Sequence, residues 1–286
     1  MCRWLAYSGT PILLDELIYK PEHSLIDQSR HSKLGAETTN GDGFGVGWYT
    51  DPAVGPLDPD ETPAVFHGVG PAWSNRNLHD LASHVRSHLF FAHIRAATGT
   101  GTATQESNCH PFRHNQWLWM HNGLINRFHE LRRELMLAVD PSLFSSIEGT
   151  TDSETMFYLA LTLGMENDVP GAVERMIGLV EATAARHGIP NAVNMTVAVS
   201  DGDTLWAFRY STERATRSLF YSTDVDSLRA LHPEVGTLRL VSDETRIVVS
   251  EPLGDLSGAW NPVPECSYGI IQEGQDEMHD LVPVAA

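Results

Sequence analysis

Cysteine is scarce in this chain: three occur in 286 residues, Cys2, Cys109 and Cys266. Thiols this few and this far apart exclude a disulfide framework and a four-ligand zinc site, so each is read as a lone thiol. Basic residues are also in short supply, with 19 Lys and Arg against 37 Asp and Glu and a formal charge of −18. Such a balance repels phosphate backbones and anionic lipid surfaces, so neither nucleic acid nor a membrane is an expected partner. No run approaches the roughly 20 apolar residues of a membrane helix. The opening MCRWLAYSGT lacks the basic stretch and apolar core of a secretory signal. A cytoplasmic address is the resulting expectation. Low hydrophobicity is not among the deficits, since 42% of the residues are apolar, which suits a folded chain rather than a disordered one. With no linker and no internal repeat, residues 1–286 are expected to form a single domain.

What is present reads as strands, then helices, then strands. Arg3 to Ser8 has the composition of a strand, and Pro11 followed by ILLDELIY has the period of a short helix. NGDGFGVGWY, from Asn40 to Tyr49, reads as a strand entered through a tight turn. Asn75 to His88 predicts a helix with Leu78, Leu81, Ala82 and Val85 on one stripe, leading into the buried strand LFFAHIRAAT. WLWMHNGLI predicts a second apolar strand that carries His121, Asn122 and Gly123, and RFHELRRELMLAV resumes helical periodicity. Thr150 or Thr151 is the expected N-cap of a helix over MFYLALTLG, and Pro170 to His187 predicts another. NMTVAV, TLWAFRY, SLFYSTD and RIVVSEPL then alternate with turns. Periodicity alone gives an α+β class.

Histidine is plentiful, at 14 residues, and His84 with His88 has the i, i+4 spacing of two ligands on one helix face. No Glu lies between them as in a zinc-protease helix, so packing or surface roles are the expected ones. Cys2 is distinguished by position. Removal of Met1, favoured when a small residue follows, puts a thiol and a free α-amine on one residue. The amine titrates near about 7.8 and the thiol near about 8.5 in unperturbed peptides, so the amine is poised to take the thiol proton. A nucleophile and its base would then share a residue. The plainer reading of Cys2 is a small buried hydrophobe. Cys109 beside His110 suggests a rival pair, but neighbours in an extended segment point to opposite faces. Cys266 has no partner motif and is expected to be inert.

Arg95 stands near the end of an apolar strand, where an unpaired guanidinium is costly to bury and its planar fork suits a carboxylate. An internal ion pair is the alternative. Asp152 also suits the first turn of a helix, and Asn122-Gly123 also suits a hairpin turn. Asp42 is expected to brace the glycine-rich turn through backbone amides.

The start MCR, NGDGFGVGW at 40–48, AHIRAAT at 92–98, SNCHPF at 107–112, HNG at 121–123 and TTDSE at 150–154 together resemble the class II glutamine amidotransferase domain. That family carries its nucleophile as an N-terminal cysteine. The resemblance runs from Met1 to about Asp255 and implies the four-layer αββα sandwich of the N-terminal nucleophile hydrolases. By that resemblance Cys2 is the nucleophile, and Asn122 and Gly123 supply the side-chain and backbone donors of the oxyanion hole. Arg95, assisted by the Thr98 hydroxyl, holds the substrate α-carboxylate, and Asp152 pairs with the α-ammonium. His110, with Asn108 and Pro111, lines or shapes the pocket. Two departures stand out: Gly99 follows the Arg-x-x-Thr pattern where the synthase members have His, and Asn40 stands where many members carry Arg.

No metal or organic cofactor is required by this chemistry, and nothing in the residues identifies an oligomeric interface. No acceptor domain is expected, and the likeness is to free-standing members, which include γ-glutamyl hydrolases of the ergothioneine pathway and of glutathione breakdown. The leading expectation is an amidohydrolase that releases glutamate from glutamine or a γ-glutamyl amide through a Cys2 thioester. A glutaminase subunit passing ammonia to a separate synthase chain is the nearer alternative. A catalytically silent protein that binds γ-glutamyl ligands or a partner is the further one.

Overall fold

The computed structural model describes residues 2–34, 39–50, 62–96, 104–239, 241–272 and 275–284. Among them the chain runs β1 (Arg3–Leu13), α1 (Asp15–Ile18), α2 (Leu25–Arg30), β2 (Phe44–Trp48), β3 (Ala64–Gly68), α3 (Arg76–Ala82) and β4 (Arg86–Ile94). It continues with β5 (Phe112–His114), β6 (Trp117–Ile125), α4 (Phe128–Leu137), α5 (Pro141–Phe144), α6 (Asp152–Thr162) and α7 (Val169–Arg186). The last part is β7 (Val193–Ser200), β8 (Leu205–Ser211), β9 (Phe220–Ser222), α8 (Val225–Leu231), β10 (Arg246–Val249), β11 (Trp260–Pro262), β12 (Ser267–Gln272) and β13 (Gln275–Asp280).

Successive side chains of a strand point to opposite faces, so a strand buried throughout needs cover on both. Leu5 and Tyr7 of β1 pack with Phe90 and Ala92 of β4 and with Leu25 and Leu78, which lie on the helices α2 and α3. Trp4 and Ala6 turn the other way and meet Leu89 and Phe91 of β4, Leu118 and Met120 of β6 and Ala198 of β7. On the far side of β6, Trp117 and Trp119 pack with residues of α4, α6 and α7. Three apolar layers therefore separate four structural ones, in the order helix, sheet, sheet, helix. The first sheet has seven strands in the order β11-β9-β10-β1-β4-β2-β3, and the second has six in the order β13-β12-β8-β7-β6-β5, every pairing antiparallel. This is the expected αββα sandwich. Each fully buried large apolar side chain in these layers contributes about 1.5–3 kcal/mol. No helix of the described residues is long and apolar enough to cross a membrane.

Two local expectations are corrected. The helix expected from Pro11 starts only at Asp15, because Ile12 and Leu13 pair with Ser87 and Arg86 and extend β1 past a register shift. The helix expected over Asn75–His88 ends at Ala82, and the chain enters β4 at Arg86. His84 and His88 thus never share a helix face; His88 sits in the strand with its Nε2 3.2 Å from the Gly202 carbonyl. Among the described residues no group of three or more His, Cys, Asp or Glu is arranged to hold a metal ion.

Candidate active site

The strand alternation that builds the core also assembles the site. Trp4 pairs with His93 and Arg3 with Ile94 across β1 and β4, so one more step of that register sets Cys2 opposite Arg95. Even-numbered residues of β1 and of β6 face the space between the sheets, as Trp4, Leu118 and Met120 show. Cys2 and Asn122 continue those two rows at the same end of the sandwich. The Trp4 indole Nε1 donates to Thr196 Oγ1 at 3.2 Å, and that hydroxyl donates to the Asn122 carbonyl at 3.3 Å, which ties the sheets together beside the site. Asn122 Nδ2 donates to the Cys2 carbonyl at 3.1 Å. The Cys2 thiol is partly buried, 3.6 Å from the Ala96 carbonyl.

Gly123 sits where the strand leaves no room for a side chain: a Cβ there would lie 1.9 Å from the Asn194 carbonyl oxygen and 2.6 Å from His121 Nε2. Its N–H is placed by the strand. Asn126 N donates toward the β7 side, to Ala192 O, whereas Ile125 N donates the other way, to Asp152 Oδ2 at 2.8 Å. Backbone N–H groups alternate, so that of Gly123 points to the same side as that of Ile125. β5 pairs with β6 only at Trp117–Trp119, and on that open edge the described residues place no strand beside Gly123. A strand N–H facing an open edge is a donor in want of an acceptor.

Asp152 is the first residue of α6, which Thr151 caps by accepting from Glu154 N at 3.2 Å. The cap is thus Thr151 and not Thr150, whose N–H donates instead to Asn108 Oδ1 at 2.8 Å. Asp152 Oδ1 accepts from Ser153 N at 2.8 Å, and with Ile125 N on Oδ2 the carboxylate is held at the β6 edge, two residues from Gly123. Arg95 is 4% exposed and ion-pairs with no described residue; its Nη1 donates to the Asp42 carbonyl at 3.3 Å. Asp42 N and Arg95 O bond at 3.1 Å, and Arg95 N donates to Gly43 O at 2.8 Å, so the glycine-rich turn braces Arg95 through its backbone. Gly43 has φ +133, and a Cβ there would lie 2.7 Å from Cys109 Sγ. Thr98 lies outside the described residues.

His110 is buried behind Arg95. Its ring is tilted against that of His93, with centroids 4.2 Å apart, and against that of Phe112, with centroids 4.6 Å apart. None of the ring nitrogens of His93 and His110 makes a hydrogen bond of normal geometry among the described residues. Burial without compensation disfavours the charged imidazole. Burial, reinforced by Arg95 and neighbouring histidines, holds His110 well below the ordinary range, and burial lowers His93 to about 3. His121, whose Nδ1 lies 2.7 Å from Ser153 Oγ, is lowered by burial to about 4, against the pull of Asp152. The rival nucleophile Cys109 is fully buried, and burial pushes its thiol up to about 11, outweighing Arg95. A thiol that resists ionisation is a poor nucleophile.

Motif reading missed the anchor behind Cys2. Arg3 Nε donates to Glu251 Oε2 at 2.8 Å and its Nη1 to the Cys2 carbonyl at 3.0 Å, while His23 Nε2 lies 2.5 Å from Glu251 Oε1. The backbone N–H groups of Lys33 and Leu34 donate to the same carboxylate at 2.7 and 3.0 Å. Burial pushes the Glu251 carboxyl upward, but His23, these amides and Arg3 together bring it below its usual value. A Glu at the end of the apolar strand RIVVSEPL, matched with the Arg of MCR, was the available signal. Arg217 was missed as well; it lies near enough to Cys2 and Asp152 for their charges to act on it.

Residues 23–283 match the model of the class II glutamine amidotransferases. The chain is 34% identical over 312 residues to the Saccharomyces cerevisiae protein named "Probable glutamine amidotransferase DUG3", covering 99% of this chain and 85% of that one. It is 28% identical to the gamma-glutamyl-hercynylcysteine sulfoxide hydrolase of Mycolicibacterium smegmatis, with 93% of each covered. Among solved structures, a glutamine aminotransferase class-II domain protein from Silicibacter pomeroyi superposes with a TM-score of 0.73 at 31% identity, over 99% of this chain and 100% of that one. Glutamine phosphoribosylpyrophosphate amidotransferase from B. subtilis shares the fold at a TM-score of 0.63 and 15% identity, and half of its chain is covered.

Proposed function

The chain belongs to the class II glutamine amidotransferases, and on that premise we propose that it hydrolyses a γ-glutamyl amide to glutamate and an amine through a thioester on Cys2. The observation that carries this reading is convergence: Cys2, Arg95, Asn122 and Gly123 come from strand ends or edges at one end of the inter-sheet layer, and Asp152 is bonded into the same edge. Removal of Met1 frees the Cys2 α-amine, which takes the thiol proton as Sγ attacks the γ-carbonyl carbon. The carbonyl oxygen becomes an oxyanion facing Asn122 Nδ2 and the Gly123 N–H. Collapse breaks the carbon–nitrogen bond, and the α-ammonium returns the proton to the departing amine. Water, deprotonated by the same amine, then attacks the thioester, and glutamate and the free thiol are restored.

The electrostatics favour this assignment. Arg95 is a buried cation without an acidic partner among the described residues, suited to the substrate α-carboxylate. Asp152 is the carboxylate suited to the α-ammonium. The histidines behind Arg95 are neutral at physiological pH, so they neither compete for the carboxylate nor add charge beside the guanidinium. An oxyanion donor of this kind lowers a barrier by about 2.7–4 kcal/mol.

The test is glutamate release from glutamine and other γ-glutamyl amides by protein that begins at Cys2. The expected result is release by the native sequence and none by Cys2→Ala. Equal release by both would sink the mechanism.

A further inference from the structure

The charge inventory makes one side chain conspicuous. Acidic residues outnumber basic ones by 37 to 19, and several arginines held partly or wholly out of solvent are ion-paired, Arg3 with Glu251, Arg209 with Glu265 and Arg246 with Asp276, whereas Arg95 and Arg217 have no such partner among the described residues. Arg217 is half-buried, yet its guanidinium makes no ion pair or side-chain hydrogen bond among the described residues.

Its position is fixed. The connection from β8 to β9 is bolted along its length: Ala215 N donates to Ser211 Oγ at 2.8 Å, Asn194 Nδ2 to Ala215 O at 3.0 Å, and Thr216 N to Glu265 Oε1 at 2.9 Å. Arg209 Nε holds the Arg217 carbonyl at 3.0 Å, and Arg209 lies in one cross-strand row with Thr196 and Asn122. On the other side Ser218 Oγ donates to the Ser250 carbonyl at 2.8 Å, and Ser250 N donates to the carbonyl of Trp4, two residues from Cys2. Arg217 is thus clamped between the oxyanion strand and the start of β1. Burial lowers its affinity for its proton, and Cys2, Arg3 and Asp152 lie close enough to act on its charge.

In the hydrolase reading, on which this inference rests, the glutamyl half is already provided for: Arg95 for the α-carboxylate, Asp152 for the α-ammonium, Asn122 and Gly123 for the γ-carbonyl. Arg217 has no task left on that half. A planar, partly desolvated guanidinium without a counter-charge suits one ligand group above others, a carboxylate taken bidentately. We propose that Arg217 is a specificity residue that reads a carboxylate on the leaving amine. The favoured substrates are then γ-glutamyl conjugates of amino acids or of peptides with a free C-terminus, in preference to glutamine, whose leaving group is ammonia.

The experiment compares γ-glutamylglycine with γ-glutamyl methylamide, which lacks the second carboxylate, using the wild type, Arg217→Gln and Arg217→Lys. A hydrogen-bonded charge of this kind corresponds to about a 10- to 100-fold effect. The expected result is a loss of about that size in kcat/KM for γ-glutamylglycine in Arg217→Gln, mostly through KM. Turnover of the methylamide should change by no more than about twofold, and Arg217→Lys should recover part of the loss. Equal losses on both amides, or no loss on either, overturn the inference while leaving the hydrolase reading intact. Failure of the wild type to turn over either amide overturns both.

Discussion

The two sides of Cys2 are built on opposite terms. Behind it, Arg3, Glu251 and His23 form a closed network in which the carboxylate takes four contacts from a guanidinium, an imidazole and two amides, and Arg3 reaches on to the Cys2 carbonyl. In front of it, among the described residues, Arg95 has no acidic partner and the Gly123 N–H faces an open strand edge, while Asn122 Nδ2 uses one of its two protons on Cys2 O. Buried charge without a partner is costly, so the fold tolerates it where a ligand can complete it and closes it where none will come. In the proposed mechanism the back fixes the nucleophile and the front receives the substrate.

Breaking the back should cost the most. Glu251→Ala strands a buried guanidinium, and loss of one member of such a pair destabilises by about 3–5 kcal/mol; the check is equilibrium denaturation, and a change under about 1 kcal/mol would dissolve the contrast. In front the cost falls on rate instead. Asn122→Ala is expected to lower kcat by about 10²- to 10³-fold while the denaturation midpoint stays near that of the wild type, because its side chain gives up a single bond to Cys2 O.

Next in size is a pH effect from two buried histidines near the site. His93 and His121 are lowered to about 3 and about 4 by burial, from an ordinary value near about 6.5 in the unfolded chain. The unfolded state therefore binds protons first as pH falls. The stability these residues contribute is complete above about pH 6.5 and is lost progressively toward pH 4 and 3. In His93→Gln the loss of stability across that window should be shallower than in the wild type. An identical slope would remove His93 as a source. The smallest effect belongs to an ion pair beside the closed network, Lys33 with Asp255 at 3.2 Å and both side chains well exposed. Lys33→Ala should shift stability by about half a kcal/mol or less.

Legibility in the sequence follows the range of the interactions. Cys2, Arg95, Asn122, Gly123 and Asp152 stand in short local motifs, and the strand period places the first four along β1, β4 and β6. The αββα order was available from the resemblance, since periodicity alone stops at α+β. Arg3 and Glu251 each stand out as a charge beside an apolar strand, but they lie 248 residues apart, and no local pattern joins them. ILLDELIY has a helical period, but Ile12 and Leu13 follow their partners on β4 into the sheet, where tertiary pairing overrides a short apolar pattern. β13, QDEMHD, is exposed along its whole length and so offers no alternation to read. Arg217 belongs to no motif; only its lack of an ion-pair partner among the described residues marks it.

The most direct test is to identify the atom that carries the γ-glutamyl group. Protein that begins at Cys2 is mixed with a γ-glutamyl amide, quenched in acid during turnover, and examined by intact mass and peptide mapping. The account predicts one γ-glutamyl group on the Cys2 peptide, and no adduct and no turnover in Cys2→Ala or in protein extended before Cys2. An adduct on Cys109, or undiminished turnover by the extended protein, would contradict it.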